Sequence, residues 1–183
     1  MFFYRIERCQ VLPISIDTAW QFFSSPSNLP SITPPWLNLK IIESVSPHMR
    51  AGMLIYYHFT PLSDFRMSWL SEITHVDAPR FFIDEQRLGP YRLWHHEHYF
   101  HACEGGVQVD DIVTYALKYA ALGTFVHALW IKKRLQMIFD YRSSALKQRF
   151  GSTSGQLLSV HYRLGTKLHN GYSEKLEKCR RRK

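Results

Sequence analysis

Residues 80–102, RFFIDEQRLGPYRLWHHEHYFHA, hold the pattern from which the fold is predicted. Two segments of strand length, Arg80–Leu88 and Tyr91–Ala102, flank the dipeptide Gly89-Pro90. Aromatic residues favour strands, and Gly and Pro are the residues that turns require. The stretch therefore predicts two neighbouring antiparallel strands that are joined by a short turn.

Segments of strand length alternate with turn residues on both sides of this central pair. The further predicted strands are Phe3–Leu12, Leu37–Val45, Met53–Phe59, Phe65–His75 and Val107–Tyr119. Turn residues separate the later strands at Ser46-Pro47, Ala51-Gly52, Pro61, Asp77-Ala78-Pro79 and Glu104-Gly105-Gly106. Because the connections between consecutive strands are short, the strands are expected to form an antiparallel meander.

Helical patterns occur at two places. A short helix that Ser15 or Asp17 can cap is predicted through Ala19–Phe23, and residues 28–36, with three prolines, predict a turn or a single helical turn. In residues 123–150 the apolar side chains recur at helical spacing. A helix of about 28 residues is about 40 Å long.

These elements predict an α+β protein with a helix-grip fold, in which a curved antiparallel sheet of about seven strands wraps around a long C-terminal helix. Residues 1–150 are predicted to form this domain, and residues 151–183 a basic, flexible tail in which only 157–164 could be ordered. The tail holds eight Lys or Arg and two Glu, so it carries +6 of the net charge of +8. A body with a charge of only +2 argues against a nucleic-acid-binding fold.

The cellular location is predicted from the cysteines and the N-terminus. The three cysteines, Cys9, Cys103 and Cys179, show no CxxC spacing, and an odd number supplies no disulfide framework. The first eight residues contain charges where a signal peptide has its apolar centre. We expect reduced thiols and a cytoplasmic protein.

A series of short motifs runs in order through residues 3–150. They are Ala19-Trp20-Gln21-Phe22-Phe23, Asn28-Leu29, Ile32-Thr33-Pro34-Pro35, Gly52, Tyr57, Trp69, Ile73, Phe82-Ile83-Asp84-Glu85-Gln86, Gly89-Pro90-Tyr91, Trp94-His95-His96-Glu97-His98-Tyr99-Phe100, Asp111, Val113, Tyr115 and Ile138-Phe139-Asp140-Tyr141-Arg142. This series resembles the START-like (SRPBCC) superfamily, specifically its polyketide cyclase/dehydrase and lipid-transport-like branch. The residues after Gly151 have no counterpart in it.

The resemblance implies a cavity between sheet and helix that holds a lipid, an isoprenoid, a polyketide or another apolar molecule. We expect a carrier or sensor of such a molecule rather than an enzyme, although the superfamily includes some cyclases. A cyclase- or dehydratase-like enzyme that uses Asp and His residues of the cavity is one alternative. The other is a factor that contacts RNA, the ribosome or an anionic membrane weakly through the basic residues 175–183. The oligomeric state is left open.

Strand alternation predicts which side chains face this cavity. Side chains repeat every two residues on one face of a strand, so the motif residues of neighbouring strands can be assigned to a common concave face. The predicted ligand-binding residues on the sheet are Tyr57, Trp69, Ile73, Phe82, Asp84, Gln86, Trp94, His96, His98, Phe100, Asp111 and Tyr115. Those on the long helix are Phe125, Leu129, Ile138 and Phe139. Because an unpaired buried carboxylate or imidazole is costly, the polar members must pair with one another, with water or with a ligand.

The histidines of residues 95–101 admit two further hypotheses. His96 and His98 share a face with Asp84, and the three could form a zinc site or supply acid and base groups. No nucleophile motif accompanies them, and a structural pairing of these side chains is the simpler explanation. We therefore expect no metal and no cofactor. Arg142 is expected either to pair with a buried carboxylate or to interact with the end of its helix.

Overall fold

The computed structural model describes residues 3–43, 49–62, 65–118, 124–152 and 159–165. For residues 62, 124–129 and 159–165 it describes the backbone alone. The helices are α1 (Ile16–Phe23), two 3₁₀ helices (Pro26–Ile32 and Pro35–Leu37) and α2 (Thr124–Phe150). The strands are β1 (Phe3–Leu12), β2 (Lys40–Ile41), β3 (Met53–Leu62), β4 (Phe65–Asp77), β5 (Phe81–Leu88), β6 (Tyr91–Cys103), β7 (Gly106–Leu117) and β8 (Ser159–Gly165).

The strands form one antiparallel sheet in the order β2-β3-β4-β5-β6-β7-β1-β8. The sheet curves around the long helix α2, so the predicted helix-grip fold is confirmed. The early strand and the short helices also lie where the sequence predicts them. No helix in these described ranges is long and apolar enough to cross a lipid bilayer.

The sheet contains one strand more than the sequence predicts. The eighth strand, β8, comes from the segment that was predicted to be the tail. Except for Gly165, it lies within residues 157–164, the part of the tail that was expected to be capable of order. It pairs antiparallel with β1, from Phe3 opposite Gly165 to Cys9 opposite Ser159. Pairing supplies partners for the backbone groups along the outer edge of β1. The basic residues 175–183 lie outside the described residues.

Two details of the predicted strands are wrong. The strand predicted at Leu37–Val45 is only Lys40–Ile41 within the described residues, because a 3₁₀ turn ends at Leu37 and Asn38 adopts a left-handed conformation with φ of 43°. Residues 44–48 are not described.

Pro61 was expected to end β3 but lies inside it, at an irregularity between Phe59 and Leu62 where the register with β4 shifts. Such an irregularity tolerates a proline that has no N–H to donate.

Helix α1 closes one end of the sheet. Its N-cap is Ser15, whose hydroxyl oxygen accepts a hydrogen bond from the Thr18 backbone N–H at 3.1 Å, and the alternative cap Asp17 lies in the first turn. Phe22 and Phe23 are buried and pack with Phe100 of β6 and the end of α2. This apolar cluster covers the concave face of the sheet at that end.

The turn between β6 and β7 supplies a test of the fold. Gly106 has a φ of 142°, and a Cβ atom there would collide with the backbone carbonyl of Leu12 in β1. Replacing Gly106 with Ala should lower the free energy of unfolding by about 2 kcal/mol in chemical denaturation, because both the backbone conformation and the contact oppose a side chain. Gly52 also has a positive φ, of 79°, but open space around it.

Gly52→Ala is therefore the matched control. We expect it to lower the free energy of unfolding by only about 1 kcal/mol, because only the backbone conformation opposes a side chain there. Equal losses in the two variants would contradict the predicted collision.

Candidate functional site

A cavity of about 400 Å³ lies between the concave face of the sheet and helix α2. Apolar and aromatic side chains form most of its wall, among them Ile55, Trp69 and Trp94 from the sheet and Leu135 from α2. Trp69 makes edge-to-face contacts with Trp94 and with Tyr91, at ring distances of 5.2 and 5.7 Å. Such packed rings form a rigid apolar wall.

Most of the predicted ligand-binding residues that the structure describes line this cavity. They are Tyr57, Trp69, Ile73, Phe82, Asp84, Trp94, His96, His98, Ile138 and Phe139. The side chains of Phe125 and Leu129 lie outside the described residues. Whether a ligand contacts these side chains remains a prediction.

Four predicted residues lie on the expected face but away from the cavity. The amide of Gln86 instead bonds both the backbone N–H and the carbonyl of Tyr91, at 3.2 and 2.9 Å, and so holds the turn between β5 and β6. Phe100 packs in the closed end, and Tyr115 stacks on Tyr4 at 5.2 Å. Asp111 faces the histidines from the next strand. Alternation assigns a side chain to a face, but it does not say which part of that face other elements cover.

Strand pairing brings four titratable side chains together; three of them line the floor of the cavity, and Asp111 lies directly behind the two histidines. Asp84 of β5 lies opposite His96 of β6, and His98 of β6 lies opposite Asp111 of β7. Nε2 of His98 is 3.2 Å from Oδ1 of Asp84, and its Nδ1 is 2.7 Å from Oδ1 of Asp111. His96 sits between the same carboxylates, with its ring centre 3.8 Å from that of His98.

Two side chains from other elements complete this cluster. Nη1 of Arg142, on α2, donates to Oδ2 of Asp111 at 3.4 Å, which is the first of the two roles expected for this arginine. Ser71 of β4 accepts a hydrogen bond from the indole N–H of Trp69 at 2.9 Å and donates one to Oδ2 of Asp84 at 3.2 Å. We name Ser71, Asp84, His96, His98, Asp111 and Arg142 the floor cluster.

Ser71 is a site residue that was not among those predicted from the sequence. It lies between Trp69 and Ile73 at the spacing of two that those cavity residues share, so strand alternation could have identified it. The apolar wall residues Ile55 and Leu135 were also missed, since a buried Ile or Leu is found in every core.

Burial and mutual charge set the ionisation of the floor cluster. Burial alone would raise the pKa of Asp111, but the Arg142 guanidinium and both histidines hold that pKa well below its usual range. For Asp84 too, burial is outweighed by His98, His96 and Ser71, and its pKa is lowered. Both carboxylates are therefore ionised at neutral pH.

The two histidines are shifted in opposite directions. Burial and the neighbouring charge of His98 lower the pKa of His96 to about 4, so this imidazole is neutral at pH 7. For His98, burial is outweighed by the contacts with Asp111 and Asp84, which raise its pKa. Burial also raises the pKa of Tyr57, which keeps its phenol protonated in the cavity wall. The contacts with the histidines and with Arg142 thus offset the charge of the two buried carboxylates.

Exposed aromatic side chains mark the entrance of the cavity. Phe65 of β4 and Trp130 of α2 line it and are 64% and 40% exposed. The guanidinium of Arg134 lies over the rings of Trp130 and Trp36, at 5.4 and 4.9 Å. Arg134 therefore places a cationic group beside the apolar side chains at the opening.

Comparison with solved structures finds the same fold in several proteins of low sequence identity. Ginseng major latex-like protein 151 from Panax ginseng is 10% identical, with 81% of this chain and 97% of that chain covered and a TM-score of 0.60. The protein Ara h 8.0201 is 18% identical, with coverages of 80% and 99% and a TM-score of 0.52. Protein CV1439 from Chromobacterium violaceum is 11% identical, with coverages of 81% and 98% and a TM-score of 0.63.

No protein-family model matches the chain, and neither does any curated protein. At these identities the structural neighbours establish the helix-grip fold alone, and the resemblance to the START-like superfamily and to its branch stays a prediction.

Proposed function

We propose that this protein binds a small hydrophobic molecule with one polar end, as a carrier or a sensor, in the cavity between the sheet and α2. The observation that carries the proposal is a largely apolar cavity of about 400 Å³ with a polar floor on one side. Ligand sites in proteins are typically concave spaces of about 300–1,000 Å³ with apolar walls and a few convergent polar groups.

The arrangement of the wall and floor indicates how such a ligand would lie. Trp69, Trp94 and Phe139 supply apolar surface, whereas the floor cluster offers both donors and carboxylate acceptors. The apolar body of the ligand would bury against the rings, and each Å² removed from water contributes about 25 cal/mol. Its polar end would meet the floor cluster or the protonated phenol of Tyr57.

The apolar entrance supports exchange of the ligand with an apolar environment. Exposed Phe65 and Trp130, which also line the cavity, would offer apolar contacts to a lipid, isoprenoid or polyketide as it enters. The likeness of the motif series to START-like proteins points to the same classes of molecule. A cyclase- or dehydratase-like reaction at the floor cluster is the alternative function.

Binding can be tested without knowing the natural ligand. Protein purified without detergent should bind the fluorescent probe 1-anilinonaphthalene-8-sulfonate at one site with a dissociation constant in the micromolar range or below. A dissociation constant of about 1 μM corresponds to a binding free energy of about −8 kcal/mol. Native mass spectrometry of the same preparation should detect a co-purified apolar molecule. A titration that shows no saturable probe site would contradict the proposal.

A further inference from the structure

Three potential metal-binding atoms converge at the floor of the cavity. Oδ1 of Asp84 lies 3.5 Å from Nδ1 of His96 and 3.2 Å from Nε2 of His98. The three ligand atoms all lie within 4.8 Å of one another. In a tetrahedral zinc site with bonds of about 2.0–2.2 Å, neighbouring ligand atoms are about 3.3–3.6 Å apart. The two distances to Asp84 are therefore close to those that a bound ion would require.

The remaining ring nitrogen of each histidine faces the carboxylate of Asp111. Nδ1 of His98 and Nε2 of His96 lie 2.7 and 3.4 Å from the same oxygen, Oδ1. Arg142 contacts the other oxygen of this carboxylate. Histidines that bind metals almost always direct their second ring nitrogen at a carboxylate, a backbone carbonyl or water, which fixes the tautomer and the ring orientation.

The contacts of the two histidines with Asp111 are close but poorly aligned as hydrogen bonds. Among the described residues, Nε2 of His96, Nδ1 of His98 and Oδ1 of Asp111 are buried and make no well-aligned hydrogen bond. His96 is only 6% exposed. A buried polar group without a well-aligned partner costs about 1–3 kcal/mol, so hydrogen bonds to Asp111 alone do not explain why the two rings lie in this arrangement.

We propose that Oδ1 of Asp84, Nδ1 of His96 and Nε2 of His98 bind one divalent transition-metal ion. In this arrangement each histidine carries its proton on the nitrogen that faces Asp111, and Asp111 orients both rings without binding the metal. The site goes beyond the binding of a hydrophobic molecule and does not depend on it. It also departs from the expectation that the protein holds no metal.

The donor atoms define the class of metal. Two imidazoles and one carboxylate suit zinc and iron(II), whereas magnesium and calcium prefer all-oxygen sites. Three protein ligands leave a further coordination position, as in catalytic zinc sites. Because Asp84, His96 and His98 line the cavity, this position faces the cavity, where water or a polar group can occupy it.

The test uses the full-length protein after treatment with a chelator and dialysis. Isothermal titration with Zn²⁺ should show one equivalent bound with a dissociation constant in the micromolar range or below. Titration with Co²⁺ should produce the visible absorption bands of a four-coordinate cobalt ion. His96→Ala and His98→Ala should each weaken Zn²⁺ binding by about 100-fold or more, since each removes one of only three ligands.

His95→Ala is the matched control. His95 lies on the same strand but on the opposite face, where its Nδ1 is 2.9 Å from Oε1 of Glu85. We expect this variant to bind Zn²⁺ as the unmodified protein does. Binding weaker than about 100 μM, or an equal loss in His95→Ala and His96→Ala, would overturn the proposal. The cobalt spectrum of the unmodified protein decides the matter if a variant does not fold: absence of the bands would also overturn it.

Discussion

Replacing Asp111 with Asn is expected to lower the free energy of unfolding by about 3–5 kcal/mol, because the substitution leaves buried positive charge without its partner. The side chain of Asp111 is only 8% exposed and contacts both Arg142 and His98. Asn is nearly isosteric with Asp, so the change removes charge with little change in packing. Denaturation by urea, monitored by circular dichroism at neutral pH, measures the loss.

Asp140→Asn is the control for this experiment. Asp140 is also paired with an arginine, Arg8, at 2.8 Å, but its side chain is 56% exposed. Ion pairs with such exposure contribute about 0–1 kcal/mol, so the control should change the stability little. Equal losses in the two variants would show that burial of the Asp111 pair is not the source of its effect.

Removal of both charges gives a second check on the same interpretation. Arg142→Met alone should also be destabilising, because it leaves the Asp111 carboxylate without its cation in the buried floor cluster. If the two residues act as a pair, the double variant Asp111→Asn, Arg142→Met should lose less stability than the sum of the single losses. Additive losses would indicate that the two side chains do not interact.

The second large effect is expected from filling the cavity. Ile55 of β3 lines the cavity and is 7% exposed, so Ile55→Trp should place an indole where the ligand would lie. If the ligand loses burial of about 100 Å² of apolar surface, the cost is about 2.5 kcal/mol, or roughly a 70-fold loss of affinity. Fluorescence titration with 1-anilinonaphthalene-8-sulfonate measures this change.

The neighbouring residue Leu54 is the control because it lies on the other face of the same strand. Its side chain is 54% exposed and does not reach the cavity. Leu54→Trp should therefore leave the affinity for the probe unchanged. Urea denaturation of both variants separates blocked binding from unfolding, since an overpacked site costs about 1–3 kcal/mol. Unchanged affinity in a folded Ile55→Trp variant would show that the probe binds elsewhere.

The amino-acid sequence was sufficient to predict the sheet, the long helix and the face on which Asp84, His96 and His98 lie. Those features depend on local patterns: turn residues between strands, helical spacing of apolar residues, and the alternation of side chains along a strand. The same alternation also placed Gln86 and Phe100 on this face, and it could not exclude them from the cavity, because α1 and the turn after β5 occupy those parts of it.

Contacts between residues far apart in the chain depended on the folded arrangement. Arg142 reaches Asp111 only because the curved sheet holds α2 over β7, and Ser71 reaches Asp84 only through the register of β4 with β5. The convergence of three ligand atoms, and their proposed role in binding a metal, likewise depends on distances of 3.2 and 3.5 Å between atoms of neighbouring strands. The sequence pattern specifies to which face of a strand each side chain points. The curvature of the sheet, the register of its strands and the position of the helix together set the distances between these side chains.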